Sequence, residues 1–282
     1  MIPFEKIGIF KIPEKLVVIG DIHADYDTLL KTLRYSGLIN KKIEWTGRKT
    51  HLLIIGDLVD GKSRVGEWKN DSDLKVIYLL DKLMTLSEKK GGKVIILLGN
   101  HEFMNMAGNF SYSGKRSTKE MGGENERLKY FTGDFIEFAK KCYLVVKYGD
   151  WIFCHAGISP EISKKYSIQN LNQMLHLYLT NNMTESIKNK FIKIISGVNG
   201  ILTTREFGNN NVDCKRLNKT LEIYEANHMV VGHTVQPYIN SLCNNKLWRV
   251  DVGLSKAFGE NNKKRISFLL IFDYGNKTKI LT

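Results

Sequence analysis

Cysteine is scarce in this 282-residue chain: there are four, Cys142, Cys154, Cys214 and Cys243, with no C-x-x-C pair among them. That spacing argues against a thiolate zinc site and offers no disulfide framework, so reduced thiols in a cytosol-like, cytoplasmic setting are expected. Long apolar runs are missing too. None approaches the roughly 18 residues of a membrane span, and the opening MIPFEKIGIFK lacks the uninterrupted apolar core of a signal peptide. The chain therefore reads as soluble and unexported, with no membrane partner. Acidic residues are the minority charge, 29 against 42 Lys and Arg, which leaves a net charge of +13. This excess favours anionic partners, nucleotide or RNA among them. The lysines are scattered rather than massed in one tract, which fits a solvated basic surface. Linkers, repeats and low-complexity tracts are also absent, and 43% apolar content suits one packed domain over 1–282 with insertions.

What is present is a series of short, β-rich apolar runs, each closed by glycine or a polar cluster: LVVIGDIH (16–23), HLLIIGD (51–57), KVIILLGNH (93–101), WIFCHAG (151–157), MVVGH (229–233), LWRVDVG (247–253) and ISFLLIF (266–272). Helical patterns separate the early ones. Leu29, Leu30 and Leu33 share a face that Gly37 can terminate, and Leu74, Ile77, Leu80 and Met84 form a second stripe ended by Gly91 and Gly92. Strand and helix in alternation predict parallel pairing with right-handed crossovers, an α/β fold. From 229 to 272 turns such as PYINSLCNN and AFGENNKK replace helices, which predicts hairpin-like pairing and a mixed sheet. Two further helical stretches are predicted, one from Asp134, where DFIE resembles a capping box, and one from Ser159-Pro160-Glu161 to about Ile195. They are expected to cover one end of the sheet as insertions around 103–150 and 159–205.

The chemistry sits at the strand ends. In GDIH, Asp21 and His23 are two apart and point the same way in an extended segment. GDLVD adds Asp57 and Asp60, GNHE adds Asn100 and His101, HAG adds His155 and GHT adds His233. Carboxyl ends of strands in an open sheet converge on one crevice. Imidazoles and carboxylates without thiolate suit Mn, Fe or Zn better than Ca or Mg. The set Asp21, His23, Asp57, Asn100, His155 and His233 exceeds one ion's needs and suits two divalent ions bridged by a carboxylate. Such a pair lowers the pKa of a water between them and holds both oxygens of an in-line displacement, the chemistry of phosphate-ester hydrolysis.

The ordered set GDIH, GDLVD, GNHE, HAG and GHT resembles the calcineurin-like metallophosphoesterase superfamily and its PPP-type serine/threonine phosphatases. The wording GNHEFMNMAGN, VNGILTTREFG and VVGHTVQ…LWRVDVGLS is similar to the Shewanella-like phosphatase branch. This resemblance implies a β-sandwich of mixed sheets flanked by helices, and a phosphorylated protein substrate. It implies one metal on Asp21, His23 and Asp57, and a second on Asp57, Asn100, His155 and His233. His101 would be the general acid, oriented by Asp60, and Arg205 would clamp phosphate oxygens. The family pattern GD-x-x-D-R-G is broken here, where GDLVDGKSR puts Gly61 at the expected arginine and leaves Lys62 or Arg64 to substitute.

Other residues read more plainly. His51, His176 and His228 are structural, Asp25 and Asp27 start the first helix, and Cys154 is a small buried hydrophobe. Glu102 either supports the site or caps the following helix. Arg116 and Arg127 read as surface residues of the insertion. Asp251 either buttresses His233 or ends a strand. Two other functions fit the basic charge: a dinucleoside polyphosphate or RNA cap hydrolase, and a non-catalytic nucleic-acid binder, which would show steep salt dependence.

Overall fold

The apolar runs pair into two sheets. The first holds β2 (Lys15–Ile19), β3 (His51–Ile54), β4 (Lys93–Ile96), β10 (Phe268–Phe272) and β11 (Lys277–Leu281) in the order β11-β10-β2-β3-β4. The second holds β1 (Ile9–Phe10), β5 (Val145–Tyr148), β6 (Trp151–Cys154), β7 (His228–Val231), β8 (Asn240–Leu242) and β9 (Leu247–Arg249) in the order β1-β5-β6-β7-β9-β8. Strands β2, β3 and β4 run parallel, as their helical crossovers demand. Strands β10 and β11 form an antiparallel hairpin, as do β8 and β9, while β6, β7 and β9 run parallel to one another. Both sheets are therefore mixed. The computed structural model describes residues 7–65, 68, 71–259 and 266–282, so MIPFEK and most of the AFGENNKK turn lie outside it.

Period-two alternation divides each strand between two cores. Leu16, Val18 and Leu53 from one sheet meet Val146, Phe153 and Val230 from the other, a dry layer that holds the sheets face to face. The opposite faces, with Val17, Leu52, Ile54, Ile152 and Met229, pack against helices. On one side these are α1 (Tyr26–Tyr35) and α2 (Asp73–Glu88). Asp25 caps α1 by accepting from the Thr28 amide, and Gly37 follows its end at φ +72°. The buried face of α2 centres on Val76, Ile77, Leu80 and Leu83, with Leu74 and Met84 at its flank rather than in its middle.

The insertions hold α3 (Asn100–Met106), α4 (Lys115–Glu120), α5 (Glu124–Thr132) and α6 (Asp134–Ala139), then α7 (Pro160–Ser163), α8 (Ile168–Leu179) and α9 (Glu185–Ser196). The last helix, α10 (Cys214–Ile223), precedes β7. The predicted box at DFIE does not form, because the helix starts one residue earlier with Gly133 at its cap, which places Asp134 inside the first turn. Ser159 does cap a helix, accepting from the Ile162 amide, but the run towards Ile195 breaks into three at Ser167 and Thr184, each a new N-cap. Among the described residues no helix is long and apolar enough to cross a membrane.

One expectation about cysteine is overturned. Cys214, at the start of α10, is disulfide-bonded to Cys243 in the β8–β9 turn, with Cα atoms 5.5 Å apart. Their 29-residue separation hides the pairing from any local spacing rule. Only Cys142 and Cys154 are free, and both are buried. Reduction should destabilise the fold by about 2–4 kcal/mol, the range for a loop of this size. A thermal melt with and without reductant measures it, and an unchanged midpoint would show that the bridge does not contribute.

Candidate metal centre

Five parallel-strand ends deliver their polar residues to one place: Asp21 follows β2, Asp57 follows β3, Asn100 follows β4, His155 follows β6 and His233 follows β7. Asp57 lies at the middle. Its Oδ2 is 3.3 Å from His155 Nε2, 3.8 Å from His23 Nε2 and 3.9 Å from His101 Nε2. Among the described residues, two groups have donor atoms all within 4.8 Å of one another and can hold a metal ion: His23, Asp57 and His101, and Asp57, His155 and His233. Asp57 belongs to both. Asn100 Oδ1 joins the second group at 3.1 Å from His155 Nε2. Asp21 Oδ2 accepts from the His233 amide at 3.0 Å.

The backbone is bent to make this possible. His23, Asp57, Asp60 and His233 all have positive φ, between 43° and 72°, a conformation that costs an L-residue energy and persists where surroundings over-determine it. Gly56, at φ +112°, lets the β3 end approach β4 and β6, since a Cβ there would lie 2.8 Å from both the Gly99 amide and His155 Nδ1. The imidazoles are oriented from behind. His155 Nδ1 contacts Ile55 O at 3.0 Å and His23 Nδ1 contacts Val59 O at 3.3 Å, which leaves each Nε2 facing the centre.

The donor set is short of positive charge. Asp21 and Asp251 are each 1% exposed, and among the described residues Asp21 Oδ1 and Asp251 Oδ2 have no hydrogen-bond partner. Burial, then Asp251 and Asp57, pushes the Asp21 carboxyl well above its usual range. Asp251 is pushed up to about 6, first by burial and then by Asp57. Glu102 rises to about 7 for the same two reasons. Burial lowers His233 to about 3, in favour of the neutral, ligand-competent ring. Burial lowers His23 as well, whereas at His155 burial is outweighed by Asp57, which raises the ring. Orphaned carboxylate oxygens beside the neutral rings of His23 and His233 fit divalent cations.

Beside this centre, His101 Nδ1 is 2.7 Å from Asp60 Oδ2. His101 is raised: burial opposes its charge, but Asp57 and the Asp60 hydrogen bond outweigh that. Arg205 is exposed at the rim, donating to Thr234 Oγ1 at 3.2 Å. Gly61 has no room for a side chain, since a Cβ would come 2.6 Å from that of Asp71 and 3.0 Å from that of Ala24. Of its two possible substitutes, Lys62 donates its Nζ to Ser111 O. The Arg64 guanidinium instead lies over Phe258 at 4.8 Å and Tyr112 at 5.4 Å. Those two rings border His23 at 5.1 Å and His101 at 5.2 Å.

A profile of the family described as calcineurin-like phosphoesterase matches residues 14–237. The chain belongs to that family. It is 28% identical over 298 residues to Shewanella-like protein phosphatase 2 of Arabidopsis thaliana, covering 88% of this chain and 73% of that one. It is 32% identical to Shewanella-like protein phosphatase 1 of Plasmodium berghei, covering 86% and 67%. The solved cold-active protein-tyrosine phosphatase of a psychrophilic Shewanella superposes with a TM-score of 0.80 at 24% identity, over 98% of this chain and 82% of that one, a likeness of fold.

Three features of this phosphoesterase were hidden in its sequence or misread there. Glu102 does both jobs left open for it: its carboxylate accepts from the Gly99 amide at its own helix start, and from the Leu58 and Asp57 amides of the β3 loop at 2.7 and 3.2 Å. Tyr112 and Phe258 flank the centre without any motif to mark them. Arg127 is not a surface residue. It is fully buried, because Asp60 and Asp73, distant in sequence, surround it with carboxylate.

Proposed function

We propose that this phosphoesterase hydrolyses phosphoserine and phosphothreonine in proteins with two divalent metal ions. The observation that carries the reading is Asp57 shared between two ligand groups, with a His–Asp dyad alongside. Asp21, His23 and Asp57 would hold one ion, and Asp57, Asn100, His155 and His233 the other. When bound, such a pair polarises phosphoryl oxygens and supplies a nucleophile at neutral pH. The donor set suits Mn, and also Fe or Zn.

The side chains do the rest. His101, with Nδ1 tied to Asp60, presents Nε2 to the ester oxygen and gives it a proton as the P–O bond breaks. A serine alkoxide is a far poorer leaving group than tyrosine phenoxide, whose conjugate acid has a pKa of about 10, so the dyad matters most for aliphatic esters. Arg205 and Arg64 would grip the remaining phosphoryl oxygens from two sides, with Lys62 adding positive charge near the rim. Arg64 would thus replace the arginine that Gly61 has no space to carry.

The test is a substrate panel with added Mn, with and without chelator: phosphoserine, phosphothreonine and phosphotyrosine peptides, capped RNA and a dinucleoside polyphosphate. Chelator-sensitive turnover is expected, fastest on the phosphoserine and phosphothreonine peptides. Turnover that ignores the chelator would refute the metal reading. Preference for capped RNA or the dinucleotide would refute the substrate assignment.

A further inference from the structure

The Arg127 guanidinium is engaged on every side. Its Nε donates to Asn105 Oδ1 at 2.7 Å, Nη2 donates to Asp60 Oδ1 at 2.9 Å, and Nη1 pairs with Asp73 Oδ2 at 2.6 Å. The rings of Phe131 and Phe110 lie 5.1 and 5.6 Å from its central carbon. With no exposure at all, it does not reach solvent or substrate.

Asp60 receives the far end of this network. One of its oxygens takes Arg127, the other takes His101 Nδ1, and its amide donates to Asp73 Oδ1 at 2.9 Å. Asp73 is held in turn by Ser117, whose Oγ donates to Oδ2 at 2.6 Å. A carboxylate gripped at one oxygen swings about its terminal torsion, which is broad and roughly two-fold. Gripped at both oxygens, it is fixed in plane, and so is the imidazole it holds. Arg127 also stands between the two acids, pairing with Asp60 at 2.9 Å and with Asp73 at 2.6 Å, so its removal would leave two buried carboxyl groups facing each other.

We infer that Arg127 is a positioning residue for phosphoester cleavage: through Asp60 it holds His101 Nε2 on the leaving oxygen, so helix α5 of the insertion controls the proton-donating step. This rests on His101 as the proton donor. Groups that act by geometry lose about 10²-fold in rate for a displacement on the order of 1 Å. The effect should appear only where the leaving group needs a proton.

Arg127→Met and Arg127→Lys, each loaded with Mn and checked for metal content, are compared on phenyl phosphate and on p-nitrophenyl phosphate. For Arg127→Met, kcat should fall about 10- to 100-fold on phenyl phosphate and less than about threefold on p-nitrophenyl phosphate, with KM little changed on either. Arg127→Lys, which keeps the charge, should recover part of the loss and serves as the readout if the methionine variant does not fold. In His101→Asn, adding Arg127→Met should cost nothing more on phenyl phosphate, since the two act as one unit. Equal losses on both esters, or additive losses in the double variant, would overturn the inference and leave Arg127 a structural residue. Leaving-group independence of His101→Asn itself would instead refute the proton-donor reading beneath it.

Discussion

Asp57→Asn should strip bound metal and lower turnover by at least about 10²–10³-fold. Asp57 is the one residue common to both ligand groups, and its Oδ2 sits within 3.3–3.9 Å of three imidazoles. An asparagine offers one neutral oxygen, so it can neither bridge two cations nor balance their charge. The fold should survive, because the amide oxygen can still accept from the His101 amide as Asp57 Oδ1 does at 3.0 Å. Metal content by mass spectrometry, beside kcat, measures the effect. An Asp57→Asn protein that kept two ions per chain and its turnover would remove the basis for a shared carboxylate.

His101→Asn should lower turnover on a phosphoserine peptide by about 10²–10⁴, equivalent to about 3–5 kcal/mol of transition-state stabilisation, with metal content unchanged. The second half of that statement decides between two readings of His101, since its Nε2 also falls within reach of the His23–Asp57 group. Asp21 supports the proton-donor reading. Its buried Oδ1 has no partner among the described residues, and a cation held by His23 and Asp57 would provide one. That cation then needs no ligand from His101, whose other nitrogen is committed to Asp60. Loss of half the metal in His101→Asn would reverse the assignment.

The residues that gather the centre were legible because each stands beside a strand-end glycine in a short apolar run, and parallel strands place such ends on one rim. Asp21, His23, Asp57, Asn100, His155 and His233 announce themselves by chemistry and by local position alone, as do Asp60 and His101. What supports them was not legible. Arg127 reads as one more cation on a polar helix until Asp60 and Asp73 close around it, and Lys62 and Arg64 are equivalent candidates until Phe258 and Tyr112 are seen to flank only Arg64. Gly61 looks like a lost arginine and proves to be a position with no volume for one. Cys214 and Cys243 look unrelated and are bonded.

By itself, then, the order of residues determined the strands, their polar ends and the donor types, because these follow from period, propensity and side-chain chemistry within a few neighbouring positions. The tertiary structure alone decided which cation is buried, which cation lies against Phe258 and Tyr112, which cysteines pair and which groups surround Asp60 and His101. Those depend on volume and charge contributed by segments tens of residues apart, and no local pattern encodes the distance between them.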